Sequence, residues 1–529
     1  MKLFLLAILL ITTCLTSFSQ TTMQLLSNLN YQELHDAQLN DIWGYTDEEG
    51  NEYAIVGTTK GTSIVDITDP TNPVEVFWEP GTESIWRDMV TWGDFAYVST
   101  EAQSGLLIID LRPLPHSHDL PVNYYMGDGG VSIMSAHTVY ADNGYCFLFG
   151  TKVGNGGVQI LDIHTDPMNP IRVSEFDNWY CHDGVVQNNL MYLGHIYDGF
   201  FSVVDISDIH NPVLLGTHTT PSNFTHNVWP TPDGNFAFTT DEVSGGFIGA
   251  YDISDLNNIF EIDRIQSSPG RNVVPHNVHF LNDFLITSYY SDGVTIHDAT
   301  YPYNLIEVAK YDTYPYQTTG FDGCWGAYPY LPSGNVLATD REYGLYVLGV
   351  SYQKAAYLEG TITDISTGLP IDDVKITIYN NEHENRSNET GFYATGRANG
   401  GVASVTYEKI GYYTEMDNIV LTNGVITTHD IQMIPIPPYQ LHVKVIDEQT
   451  NNPISNVNLK FETDLVSHDG ITNGIGEEDM TLYYEEIYTV TAGKWGYITK
   501  CASYEINSFT NELTIKLQKG YYDDFTFDY

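Results

Sequence analysis

The chain has 529 residues, a formal net charge of −47, 42% hydrophobic residues and 13% aromatic ones. That apolar content supplies packed cores and excludes a disordered chain, and the length predicts about three domains. So strong a polyanion is repelled by nucleic-acid phosphates and anionic lipid, which leaves divalent metals, cationic partners and neutral sugars.

Met1-Lys2 precedes an apolar run over residues 3–10 and a Thr/Cys/Ser-rich stretch to Gln20. Ser17 and Ser19 stand at the −3 and −1 positions of a secretory signal peptide, so residues 1–19 are expected to be removed. Ile11-Thr12-Thr13 before Cys14 makes a poor lipobox. No later stretch reaches the ~18 apolar residues of a membrane span. The expectation is a secreted or cell-surface protein exported through the Sec route. Cys146, Cys181, Cys324 and Cys501 show no CxxC pair or regular spacing, which reads as buried thiols rather than a disulfide framework or a thiolate zinc site.

A repeat follows. Apolar strands ending in Asp recur at Ser63-Ile64-Val65-Asp66, Leu107-Ile108-Ile109-Asp110, Gln159-Ile160-Leu161-Asp162, Ser202-Val203-Val204-Asp205, Gly249-Ala250-Tyr251-Asp252 and Thr295-Ile296-His297-Asp298. Leu345-Tyr346-Val347-Leu348 is a seventh, without the Asp. A second marker precedes each: Trp43, Trp86, His137, His182, His226, His276 and Trp325, at a mean step of 47 residues. Four short strands per unit, seven times over, predict a seven-bladed β-propeller across residues 20–353. The seventh unit lacks a fourth strand, and residues 22–29 resemble the fourth strands of other units, so the N-terminus is expected to close the ring. The repeated Asp precedes turn sequences and reads as a structural acceptor of backbone N–H groups. Asp69, Asp208 and Asp255 lie in turns without an EF-hand pattern.

The Ile-Val-Asp and Ile-Ile-Asp units resemble LVIVD-repeat propellers. The strings Ala54-Ile55-Val56-Gly57, Gly61-Thr62-Ser63-Ile64-Val65-Asp66, Ser84-Ile85-Trp86-Arg87-Asp88 and Ser104-Gly105-Leu106-Leu107-Ile108-Ile109-Asp110-Leu111 are similar to the choice-of-anchor B proteins of Bacteroidetes. The resemblance covers roughly residues 22–350 and implies an exported propeller; it brings no known activity.

Two copies of a smaller module follow. Thr367-Gly368-Leu369-Pro370-Ile371 matches Thr450-Asn451-Asn452-Pro453-Ile454, and Lys409-Ile410-Gly411-Tyr412 matches Lys494-Trp495-Gly496-Tyr497. Alternating strands with Gly/Asn turns predict two small transthyretin/Ig-like β-sandwich domains, residues 354–436 and 437–519. Both resemble carboxypeptidase regulatory-like domains and read as spacers. The fold class is therefore all-β: a seven-bladed propeller followed by two sandwiches. Residues 520–529 form an abrupt tail without a sorting domain, read as a truncated or released form.

The markers are expected to ring one channel mouth. His137, His182, His226 and His276 fall at matched phase in four consecutive units, a pattern that suits one divalent transition metal (Fe, Zn, Mn or Cu). Glu101, His195, Asp241 and Asp340, near the ends of the second strands, are expected to support those imidazoles or add ligands. Trp43, Trp86, Trp325 and Tyr289 offer flat rings to a sugar or peptide, with Tyr290, Tyr328 and Tyr330 also at the mouth. The competing reading makes the histidines packing residues copied by duplication. No Gly-x-Ser-x-Gly, phosphate loop or His-Glu-x-x-His occurs, so nothing fixes a reaction. The favoured reading is a monomeric recognition or scaffold module for an extracellular protein or glycan. The alternative is a metal-dependent oxidoreductase or hydrolase at the mouth.

Overall fold

A computed structural model describes residues 22–381, 383–463, 467–483, 486–507 and 510–520. The expected signal peptide, with Cys14, and residues 521–529 of the tail lie outside the described residues. The fold is all-β and propeller-like. Among the described residues, one short helix, Tyr31–His35, stands beside 43 strands.

Residues 22–351 form seven four-stranded antiparallel sheets. The first holds Leu39–Thr46, Glu52–Thr58, Gly61–Asp66 and Val74–Pro80 from inside to outside. The inner strands of the others are Arg87–Trp92, Thr138–Asp142, Asp183–Gln187, Thr225–Pro230, Val278–Leu281 and Cys324–Tyr328. Consecutive sheets pack side by side, and the seventh returns to the first. Thr22–Leu29 pairs with Gly344–Ser351, from Thr22 opposite Ser351 to Leu29 opposite Leu345, and supplies the seventh sheet's outer strand as expected. That pairing covers an edge that would otherwise template association.

Burial explains the strand pattern. Glu52–Thr58 is buried throughout and Leu106–Asp110 likewise, whereas the outer Val213–Thr219 is largely exposed. Middle strands pressed between neighbouring sheets are therefore continuous apolar runs, and only outer strands face water. A bulge recurs between the third and outer strands, at Ile64/Val65, Ile160/Leu161, Val203/Val204, Ala250/Tyr251 and Ile296/His297. It strengthens the local twist. The repeated Asp then closes the strand: Asp66, Asp110, Asp162, Asp205, Asp252 and Asp298 each accept the N–H two residues on, at 2.8–3.1 Å.

Two further sheet pairs follow. Phe392–Arg397, Ala356–Asp364 and Ile426–Thr428 oppose a sheet of Glu384–Arg386, Lys375–Ile378, Gly401–Glu408 and Glu415–Leu421, around a core that includes Leu358, Ile376, Val405 and Tyr407. Pro438–Asp447 repeats the place of Ala356–Asp364, with Leu441, Val443, Phe461 and Tyr488 in its core. Pro370 bridges Thr363 as Pro453 bridges Ile446, so the sequence repeat is also a structural one. Ala355 and Tyr357 pack in one cluster with Ile286, Ile296 and Ile306, and the Ala355 N–H donates to Asp298 at 2.6 Å. Those contacts seat the first of the two sheet pairs on the sixth sheet. Cys146, Cys181 and Cys324 are buried and free, but Cys501 is exposed. It lies on a strand whose alternate residues face water, so the expectation of four buried thiols fails there.

Candidate functional site

The inner strands begin irregularly. Register slips between Thr225 and Asn227 in the fifth sheet and between Cys324 and Gly326 in the seventh. Such bulges re-aim side chains, and they place His226 and Trp325 at the channel end. Hydroxyls of the preceding sheets hold the histidine backbones. Ser99 Oγ donates to the His137 carbonyl at 3.1 Å, Thr138 Oγ1 to that of His182 at 2.9 Å, and Thr240 Oγ1 to that of His276.

The four imidazoles form a continuous arc. Ring centroids lie 4.0 Å apart from His137 to His182, 4.4 Å from His182 to His226 and 4.3 Å from His226 to His276. Trp325 continues the arc 5.1 Å from His276, and Trp86 flanks its other end 6.1 Å from His137. His137 Nδ1 meets Glu101 Oε1 at 2.7 Å. His226 Nε2 and His276 Nε2 lie 3.6 and 3.8 Å from the two oxygens of Glu242. Glu242 accepts the Tyr290 hydroxyl, and Arg341 lies over the Trp325 ring. Neither ring nitrogen of His182 has a hydrogen-bond partner, nor has Nδ1 of His226 or His276, and all are buried.

Burial, reinforced by neighbouring imidazoles, holds His182, His226 and His276 well below the ordinary histidine value. They are neutral at pH 7 and keep a ring lone pair. The His137 contact lowers Glu101, leaving it anionic. Burial raises Glu242 to about 7, opposed by the Tyr290 hydroxyl and Arg341.

Below the arc lies a polar layer that the sequence reading missed: Asp41, Asp88, Asp183, Asn227 and Asn277. Asn277 donates to Asp41 at 3.1 Å, Asn227 to Asp183 at 2.8 Å, and the Val139 N–H to Asp88 at 2.7 Å. Burial raises all three carboxyls, and they repel one another. Three of the five carried a signal as the residue directly after the marker, in His182-Asp183, His226-Asn227 and His276-Asn277, whereas Asp41 and Asp88 stand two residues from Trp43 and Trp86. Next to it packs an aromatic layer in which Trp43 lies 4.9 Å from Tyr328, and Trp229 lies 4.6 Å from His279 and 5.9 Å from Tyr330.

The expected site residues divide accordingly. His137, His182, His226 and His276 come together, with Glu101, Trp86 and Trp325 beside them. Trp43 does not join them. The first inner strand slips register between Leu39 and Ile42, and Trp43 falls into the aromatic layer with Tyr328 and Tyr330. His195 is turned aside, bonded to the Tyr180 carbonyl and Ser202 Oγ at 2.8 Å each. Asp241 caps a loop through Thr220 Oγ1 and the Ser222 N–H, and Asp340 caps another through Thr313 Oγ1 and the Glu342 and Tyr343 N–H groups. Tyr289 is fully buried with its hydroxyl on the Gly246 carbonyl, while Tyr290 meets the arc 5.3 Å from His276. Glu242 was missed by one residue. Thr100 and Asp241 hold equivalent last positions of second strands, so Glu101 corresponds to Glu242 rather than to Asp241.

The family pattern described as the LVIVD repeat matches residues 50–78 and 186–220. LVIVD repeats are present. Both matches run along the second, third and outer strands of a sheet, the first and the fourth. All four arc histidines lie outside the matched LVIVD stretches. No curated protein matches the chain. Among the described residues no helix is long and apolar enough to cross a membrane.

Proposed function

We propose that the protein is an exported recognition module, whose LVIVD propeller binds an extracellular protein or glycan at the histidine-bearing channel mouth. The two C-terminal sheet pairs, read as carboxypeptidase regulatory-like sandwiches, serve as its stalk. One observation carries the reading. The loops that open on the mouth side expose large apolar side chains: Ile85, Trp86, Tyr197, Tyr316, Phe321 and Tyr343, from 36% to 75% exposed. Ile85, Trp86, Tyr316 and Phe321 lie in loops entering inner strands, and Tyr197 and Tyr343 in hairpins between second and third strands. Exposed aromatics gathered on one face mark a contact surface, and flat rings supply much area at little conformational cost.

The test is a binding screen of the intact protein on glycan and extracellular-protein arrays, repeated with Trp86→Ala/Tyr197→Ala. A ligand that binds the parent and loses at least ~10-fold affinity in the variant supports the reading. Equal affinity in a folded variant places recognition elsewhere.

A further inference from the structure

We propose that His137, His182 and His226 form a binding site for one borderline divalent transition ion, of the Zn2+, Co2+ or Cu2+ kind, with Glu101 orienting the His137 imidazole and Glu242 lending its charge beside His226.

Three neighbouring sheets each deliver one buried imidazole, and one ring nitrogen from each lies within 4.8 Å of the others. A tetrahedral ion with bonds of about 2.0–2.1 Å needs donors about 3.3 Å apart, which small rotations of the rings would reach. A carboxylate stands beside each of the outer two, hydrogen-bonded to His137 and within ion-pair reach of His226. Glu101 holds His137 Nδ1 at 2.7 Å, leaving Nε2 as the remaining nitrogen. Glu242 stands 3.6 Å from His226 Nε2, beyond direct hydrogen-bond distance, and Nδ1 of that ring is buried without a hydrogen-bond partner. A carboxylate on the far nitrogen is the usual support of a metal-bound histidine, fixing its tautomer and raising its basicity.

His182, between them, is the second indication. Both its nitrogens are buried without a partner. An unsatisfied buried polar group destabilises a fold, and a purely packing role would be filled better by Phe or Leu. The donors are nitrogen only, since the Cys181 thiol instead contacts the Asp183 carbonyl at 3.5 Å. Imidazole sets favour Zn2+, Co2+, Ni2+ and Cu2+ over the oxygen-seeking Ca2+ and Mg2+. A second triplet, His226, Glu242 and His276, also has donors within 4.8 Å. Glu242 there is engaged by Tyr290, which gives it a supporting part and leaves His276 outside the coordination sphere.

The experiment strips the intact protein with a chelator, then titrates it with Zn2+ and separately with Co2+. Calorimetry and the visible Co2+ spectrum are the readouts. One tight equivalent is expected, with a four-coordinate Co2+ spectrum. His182→Ala should weaken binding at least ~100-fold and Glu101→Gln by about 10–100-fold, while His276→Gln stays within about threefold of the parent. Glu101 is partly exposed, so its variant serves if His182→Ala does not fold. No tight equivalent in the parent overturns the proposal. So does binding unchanged by both His182→Ala and Glu101→Gln, which would mark surface carboxylates, or loss in His276→Gln with His182→Ala unaffected.

Discussion

Removing the Asp41 carboxyl should change how stability depends on pH. Asp41 is 7% exposed, accepts the Ile42 N–H at 2.8 Å and Asn277 Nδ2 at 3.1 Å, and is raised to about 7, mainly by burial and also by the charge of Asp183. The ordinary value is 3.8. Between the two, the native state holds a proton that the unfolded chain has released, so stability falls as pH rises through about 4 to 7 and levels off above. At about 1.4 kcal/mol per unit the loss by pH 8 is on the order of a few kcal/mol, part of it shared with Asp88, whose carboxyl Asp41's charge helps to raise. Asp41→Asn removes Asp41's share of that slope and costs about 1 kcal/mol in rearranged hydrogen bonds, because the Ile42 N–H and Asn277 amide reach opposite carboxyl oxygens and one of them would meet an NH2 group. The variant should therefore be slightly less stable than the parent at pH 4.5 and more stable by roughly 2–3 kcal/mol at pH 8. Urea unfolding followed by tryptophan fluorescence measures this, since seven of the eight tryptophans lie in residues 22–351. Parallel pH profiles would refute a buried, protonated Asp41.

Gly326→Ala should destabilise by about 2 kcal/mol or more, because a Cβ there would lie 2.2 Å from Asp41 Oδ1 and 3.1 Å from the Ile42 nitrogen. A thermal melt unchanged from the parent would contradict that packing. Deleting residues 22–29 should expose the Gly344–Ser351 edge, lower the melting temperature and produce oligomers in light scattering; a monomer of parental stability would mean the strand closes nothing. Tyr31→Phe should cost about 1 kcal/mol, since the Tyr31 hydroxyl donates to Ser63 Oγ at 2.8 Å inside the first sheet. An unchanged unfolding midpoint would rule that bond out as a contributor.

Repetition made the strands legible. Seven similar units give the apolar runs, the turn-capping Asp and the missing outer strand that Thr22–Leu29 supplies. The four histidines were legible for the same reason, because matched phase in consecutive units means matched place in consecutive sheets. Several of the misplaced residues missed the arc by only one to three positions. Where register slips between Leu39 and Ile42, Trp43 moves from the arc to the aromatic layer. Glu242 and Tyr290 meet the arc, not their neighbours Asp241 and Tyr289. Strand alternation turns an error of one or three residues into the opposite face, and bulges and hairpin ends are where counting along a sequence loses phase. The Asp41–Asp88–Asp183 layer was hidden differently: scattered aspartates in a chain of net charge −47 look like surface charge until the sheets bring them together.

The claim that the histidine arc holds one metal ion is settled by an anomalous difference map at the zinc edge, from crystals of the protein grown with stoichiometric Zn2+. One dominant peak is expected about 2.0–2.1 Å from a ring nitrogen of each of His137, His182 and His226. A map without a peak at the arc, or with its dominant peak between Glu242 and His276 or on the protein surface, would contradict it.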